Sequence, residues 1–307
     1  MVKLLNLFEI KVFKKKRFMK RKLKAVWELT RAEHGLMYGF GVLIGIVIAG
    51  GSSYAVAILG FLIALFIQAG TFALNDYCDL ELDIANRRMD RPLVRGELRK
   101  EAALLIACFT TALGIIFAVF LAIILNSFIL LLLALILAAL GILYDIKMKA
   151  FLAISNIYIG VTMAVPFIFG GLIAGGLNMS LLVLSSIAFL AGFGREVMKD
   201  IADVKGDALR DIKSVARIYG VEKAKTITVL SYSLAVILSV IPFFLVNTTY
   251  FFNLAYILVI LAADALFLHV CIKLRKEDVN YNYLRKETLI AIAIGLIAFV
   301  SGALVPL

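Results

Sequence analysis

The chain has 307 residues, 63% of them hydrophobic, with a formal charge of +11 and a mean hydropathy of +1.01. Soluble domains are about 45–50% apolar, so a soluble globular protein is excluded and an integral membrane protein is indicated. The positive charge does not point to nucleic acid, because the basic residues stand in short clusters between apolar runs and no recognition module is visible.

Residues 1–31 are strongly basic, from Lys3 to Arg31. Their apolar piece, Leu4 to Phe8, is too short for a signal-peptide core, and no small-residue cleavage site follows. The segment reads as a retained cytoplasmic arm lying on anionic headgroups. Residues 32–307 then form the membrane domain. After Arg31 no Lys or Arg occurs until Arg87, and similar windows cover 101–146, 150–194, 226–272 and 287–307. A membrane helix needs ~20 residues, so the first four windows hold two spans each and the last holds one. The expectation is an all-α bundle of nine transmembrane helices, near 35–52, 55–78, 102–122, 127–144, 151–173, 180–198, 226–245, 250–271 and 288–305.

The hairpin tips inside the windows, such as Gly50 to Ser53 and Asn247 to Thr249, carry no charge, whereas the loops between windows hold the remaining Lys and Arg. The positive-inside rule then puts the N-terminus and those loops in the cytoplasm and the C-terminus outside. Cys78, Cys108 and Cys271 are too scattered for a zinc site or a disulfide framework. Gly35, Gly39, Gly41 and Gly45 have the spacing of a close helix contact. Asp264 stands inside the eighth span with no basic neighbour in sequence, either a functional acid or a hydrogen-bonded packing residue.

The chemistry gathers at two span ends. Asn75, Asp76, Asp79 and Asp83 share one stripe of a helix at about 100° per residue, while Glu81 points away. The same D-x-x-D-x-x-x-D register returns at Asp200, Asp203 and Asp207, after the sixth span and on the same predicted side of the membrane. Hard cations such as Mg²⁺ take carboxylate oxygens and share phosphate oxygens with a substrate. Arg87, Arg88, Arg91 and Arg95 follow the first patch, and Arg195, Lys199 and Lys205 surround the second, so a metal-bound diphosphate in one cytoplasm-facing cavity fits both. Tyr144 and Lys147 stand three apart at the end of span four, where they either reach a phosphate or anchor the interface. Ser155 and Asn156 either line the cavity or bridge helices.

These residues resemble the UbiA-type intramembrane prenyltransferases. The likeness rests on Asn75-Asp76-x-x-Asp79-x-x-x-Asp83 with Arg91-Pro92-Leu93 and Gly96, on Tyr144-x-x-Lys147, and on Arg195-Glu196-x-x-Lys199-Asp200-Ile201-x-Asp203-x-x-Gly206-Asp207. It implies that Asn75, Asp79 and Asp83, with Asp200, Asp203 and Asp207, bind Mg²⁺; Asp76 matches the metal motif as well. It implies diphosphate contacts at Arg88, Arg91, Tyr144, Lys147 and Lys199. It also implies transfer of a prenyl group from an isoprenyl diphosphate donor to a lipophilic acceptor within the bilayer, through an allylic cation that Tyr158, Phe167 or Phe169 could face.

The chain departs from the family pattern at Glu28 to His34, which lacks an Arg-Pro and sets His34 in place of an Asn. It departs again between Asn86 and Arg91, one residue longer than usual, and at Ser214-Val215-Ala216. The second motif is most similar to the archaeal ether-lipid branch, whose acceptor is geranylgeranylglyceryl phosphate. A quinone-precursor acceptor is the alternative within the family, and a divalent-cation or phosphate transporter the alternative of another class.

Overall fold

The computed structural model describes residues 19–148, 151, 154–209 and 213–305, without the side chains of 205–209. Twelve helices are described: α1 Met19–Thr30, α2 Ala32–Ile48, α3 Tyr54–Cys78, α4 Leu80–Ala85, α5 Lys100–Ile124, α6 Phe128–Ile146, α7 Ile154–Ile173, α8 Met179–Leu209, α9 Val215–Tyr219, α10 Val221–Phe244, α11 Leu254–Leu274 and α12 Tyr281–Leu304. No strand occurs among the described residues. Eight of these helices are long and apolar enough to cross a membrane. The first expected span is broken: α1 and α2 meet at 53° and make a ninth only when taken together. The break is at Arg31, whose φ of 43° lies in the left-handed region that interrupts a helix. The chain is thus an all-helical, multi-pass membrane protein.

Helix faces follow from what lipid rewards. Lipid tails are as apolar as Leu, so helices associate through close packing of small residues and through interhelical hydrogen bonds. On α5 the buried stripe is Ala103, Ala107, Thr110, Gly114 and Ala118, while Leu105, Phe109 and Ile123 face outward. α6 repeats the pattern with Ala134, Ala138 and Gly141 inside and Leu132, Ile136 and Leu143 outside.

The helices divide into two compact units. The first comprises residues through Tyr38, Leu62–Ile123 and Ser127–Ile146. Its core joins Ala25 and Leu29 of α1, Ala73 of α3, Ala103 and Ala107 of α5, and Leu93 and Leu98 of the 86–99 loop. That loop is well ordered by its own bonds: Gly96 takes φ +67° and Glu97 N–H donates to the Pro92 carbonyl at 3.0 Å. The second unit comprises Gly39–Phe61, Ile124–Asn126 and Lys147–Leu307. Here α2 lies against α7 so closely that a Cβ on Gly45 would fall on the Phe167 backbone, and one on Gly170 on the Val42 carbonyl. The α2 glycines therefore serve packing. Phe167 and Phe169 are buried, Phe167 in a core cluster with Ile48, Leu181 and Phe299, so these two candidate cation-facing rings fill the interior of this unit.

At about 1.5 Å per residue, the 31 residues of α8 span about 46 Å, well beyond a hydrocarbon core of about 30 Å. The excess is about eleven residues, enough to hold the eight residues from Asp200 to Asp207. The helix runs through Gly206, so the register from Asp200 to Asp207 is continuous. Asp264 accepts a hydrogen bond from Ser239 Oγ at 2.7 Å, the packing alternative of the two. His269 at the other end of α11 pairs with Glu287 at 2.5 Å.

Candidate active site

The first motif straddles a break in the chain. α3 ends at Cys78 and α4 begins at Leu80, yet Asp79 N–H donates to the Asn75 carbonyl at 2.9 Å and Asp83 N–H to the Asp79 carbonyl at 2.8 Å. The i to i−4 ladder therefore survives the break, and the stripe persists; Glu81 is exposed, as its angle requires.

Asp76 is the buried centre of this stripe, 1% exposed. Its Oδ1 accepts a hydrogen bond from Arg31 Nη2 at 3.1 Å and lies 3.4 Å from Arg91 Nη1, while Oδ2 has no hydrogen-bond partner. Arg31 also lies over the Phe72 ring at 4.4 Å. Arg91 in turn reaches Asp83 Oδ2 at 3.8 Å. Burial pushes the Asp83 carboxyl above its ordinary value, and Asp79 and Asp90 add to this, while Arg91 and Arg88 pull it down. Arg88 forks onto Asp90 at 3.0 and 2.9 Å, and that hydrogen bonding lowers the Asp90 carboxyl to about 2 against the opposing effect of burial. Behind the loop, Arg95 bonds to Glu28 and Glu97, and Arg21 to Glu97, tying α1 to residues 95–97.

Asn75 donates through Nδ2 to Asp145 Oδ1 on α6 at 2.9 Å. A carboxylate can only accept here, so the amide is oriented with its nitrogen toward Asp145 and its carbonyl oxygen on the other side. Asp145 is buried and stands between the expected Tyr144 and Lys147; Tyr144 is half-buried and Lys147 exposed just beyond α6. Arg31 and Asp145 were absent from the sequence-based site. Each carried a signal: Arg31 ends the basic arm where a helix is broken, and Asp145 is an acid in an otherwise apolar span.

In the second unit, Asp200 is buried and its Oδ2 accepts from Asn156 Nδ2 of α7 at 2.8 Å, so Asn156 bridges helices. Lys199 donates to Glu196 Oε1 at 2.6 Å. Asp203 is exposed, Lys205 and Asp207 stand on α8 with their side chains outside the described residues, and Asp211 lies wholly outside the described residues. Among the described residues no three His, Cys, Asp or Glu side chains form a metal-holding group. The donor set nonetheless fits Mg²⁺: the Asn75, Asp79 and Asp83 oxygens are hard ligands, and Mg²⁺ is commonly held by one or two carboxylates, waters and substrate phosphates instead of a closed protein cage. The unpartnered Asp76 Oδ2 adds a buried oxygen beside them.

Carboxylates and arginines ordered at the ends of apolar helices can together take a hard cation and an anion. Residues 38–281 match the model of the UbiA prenyltransferase family, and the chain belongs to that family; it is an intramembrane prenyltransferase. It is 45% identical to a digeranylgeranylglyceryl phosphate synthase of Archaeoglobus fulgidus over 292 residues, covering 94% of this chain and 98% of that protein. It is similar to a solved structure of a digeranylgeranylglyceryl phosphate synthase, with TM-score 0.73 and 30% identity, over 92% of this chain and 98% of that one. A UbiA homologue from Archaeoglobus fulgidus bound to DMAPP and Mg²⁺ has the same fold, with TM-score 0.68 and 20% identity over 91% and 99% of the two chains.

Proposed function

We propose that this chain transfers a geranylgeranyl-type prenyl group from an allylic diphosphate to the glycerol hydroxyl of geranylgeranylglyceryl phosphate, in a Mg²⁺-dependent step of membrane ether-lipid synthesis. The 45% identical relative named for the product of that reaction supports the acceptor. The observation that carries the site is the ordering of Arg31 and Arg91 about the buried Asp76, beside the oxygens of Asn75, Asp79 and Asp83.

In this reading Asn75, Asp79 and Asp83 of the first motif, and Asp200, Asp203 and Asp207 of the second, hold Mg²⁺ and through it the diphosphate. Bound there, Mg²⁺ supplies Lewis-acid stabilisation of the charge that grows on the leaving group. Asp76 serves as a positioning residue: by fixing Arg31 and Arg91 it keeps two guanidiniums in place before substrate arrives, so little reorganisation is needed as the bond breaks. Arg91, Tyr144, Lys147 and Lys199 contact diphosphate oxygens, and Arg88 joins them when its fork leaves Asp90. The allylic C–O bond breaks with its electron pair going to diphosphate. The acceptor hydroxyl oxygen then bonds to the allylic carbon, and its proton passes to the departing diphosphate. Apolar helices exclude water that would otherwise capture the cation.

The N-terminus, the basic arm of residues 1–31 and both motif ends lie in the cytoplasm, and the C-terminus lies outside, as the distribution of Lys and Arg supports. Purified protein with labelled geranylgeranyl diphosphate, Mg²⁺ and a panel of acceptors tests the reading. Diphosphate release is expected to need both metal and the glyceryl phosphate acceptor, and to be lost with EDTA and in Asp79→Ala and Asp207→Ala. Full turnover in those two variants overturns the site, and preference for an aromatic acceptor overturns the substrate.

A further inference from the structure

Arg195, which opens the second motif, and Arg285 of α12 stand at the end of the core formed by α8, α10, α11 and α12. A cavity of about 40 Å³ in this core is lined on α8 by Leu184, Ala188 and Ala191 and on α12 by Ala291, Ile292 and Gly295. Arg195 follows Ala191 by four residues, and Arg285 precedes Ile292 by seven, so each continues its helix's inward stripe. Their neighbours confirm the face: Ala191 and Met198 of α8, Leu284 and Ala291 of α12 and Tyr232 of α10 share one buried cluster.

Arg195 Nε and Arg285 Nε are both buried without a hydrogen-bond partner, and the hydroxyl of the fully buried Tyr232 lies beside the Thr288 side chain. Gly194 lets that tyrosine ring sit beside Arg195; a Cβ there would meet it at 2.8 Å. The carboxylates nearest in sequence are engaged elsewhere, Glu196 with Lys199 at 2.6 Å and Glu287 with His269 at 2.5 Å. Neither arginine forms an ion pair with a described carboxylate. Two guanidiniums partly withdrawn from water and without an ion pair are costly unless an anion joins them. Two guanidinium forks and a phenol hydroxyl match the oxygens of a phosphate.

We propose that Arg195 and Arg285, backed by the Tyr232 hydroxyl, form a phosphate-monoester site whose occupant is the phosphate head of the lipophilic acceptor. The assignment of occupant rests on the function proposed above. On an ideal helix Arg195 lies about 140° and 7.5 Å from Asp200, but only about 40° and one turn from Lys199. The site is thus separate from the carboxylates that would carry the metal-bound diphosphate, and it adjoins the lysine on their flank. An acceptor held there has its glycerol next to the donor contact without competing for it.

The test uses the full-length protein in neutral-lipid vesicles, with geranylgeranyl diphosphate as donor and two acceptors, geranylgeranylglyceryl phosphate and the same alcohol without phosphate. Loss of a charge-assisted contact is expected to raise the KM for the phosphate acceptor about tenfold or more in Arg195→Gln and in Arg285→Gln, with kcat and donor KM near wild type. Arg195→Lys and Arg285→Lys restore part of the loss, and thermal melting of each variant checks its fold. Unchanged acceptor KM in folded Gln variants overturns the proposal while wild-type turnover leaves the function standing. A rise in donor KM instead assigns the arginines to diphosphate and also overturns it. Wild-type preference for the phosphate-free alcohol overturns the underlying function. Phosphatidic acid added to the vesicles covers the other source of a monoester: if the variants change only its inhibition, the site holds a structural lipid and the acceptor assignment falls.

Discussion

The two acidic motifs share a register and differ in how they are held. In the first, Asp76 is buried against Arg31 and Arg91, Asn75 is oriented by Asp145, and the loop behind is closed by Arg95, Glu28 and Glu97. In the second, Asp200 is anchored by an interhelical bond from Asn156, and Asp203 is exposed near the end of α8. The first motif is preorganised by charge pairs, and among the described residues of the second Asp203 is exposed on α8. Equal spacing in sequence therefore does not mean equal consequence on mutation: in the first motif stability and activity are entangled, and in the second they separate.

The sharpest break of that contrast is Asp76→Asn. It leaves Arg31 and Arg91 without their shared carboxylate, and removing one member of a buried ion pair costs about 3–5 kcal/mol. A large fall in melting temperature is expected together with loss of turnover; a wild-type melt would show that Asp76 does not organise the site. Next comes Asn156→Ala, which removes a hydrogen bond to a buried carboxylate. Its expected cost is about 1.5–3 kcal/mol, read by thermal melting, with a weaker apparent Mg²⁺ affinity read by metal titration of turnover. Asp203→Asn should separate the two properties most cleanly. At an exposed position it should change stability by no more than about 0.5 kcal/mol. Turnover should fall further than the about 10- to 100-fold seen for outer partners of metal sites. Unfolding of Asp203→Asn, or full activity, would erase the difference between the motifs.

Much of the fold was legible in the sequence because it depends on local pattern. Windows free of Lys and Arg located the membrane helices, and the recurrence of Asp at intervals of three and four placed both stripes. Boundaries shifted where charged residues continue a helix beyond the lipid, as α8 does through Gly206 and α12 does from Tyr281. What the pattern does not encode is which polar side chains from different helices meet. Arg31 finds Asp76 across 45 residues, Asn75 finds Asp145 across 70, and Asn156 finds Asp200 across 44. Each pairing depends on helix rotation set by many small contacts, so Arg31 read as the end of a basic arm and Asp145 passed as one acid in an apolar run.

The smallest effect concerns Arg88, the one expected diphosphate contact that is already forked onto a carboxylate. Its partner Asp90 has a side chain 57% exposed, so solvent screening holds the worth of the pair below about 1 kcal/mol despite the lowered carboxyl. Because the folded value, about 2, lies below the ordinary 3.8, this stabilisation is present above pH 3.8 and disappears as pH falls through about 2. Melting curves of wild type and Asp90→Asn should therefore differ slightly at neutral pH and converge in acid. In function the sign reverses: with Asp90 neutralised, Arg88 no longer has to leave a partner to reach diphosphate, and the donor KM should fall a few-fold at pH 7. A donor KM that stays constant while the acid-dependent melt difference appears would keep the ion pair and remove Arg88 from the site, leaving Arg91 as the preorganised guanidinium of this loop.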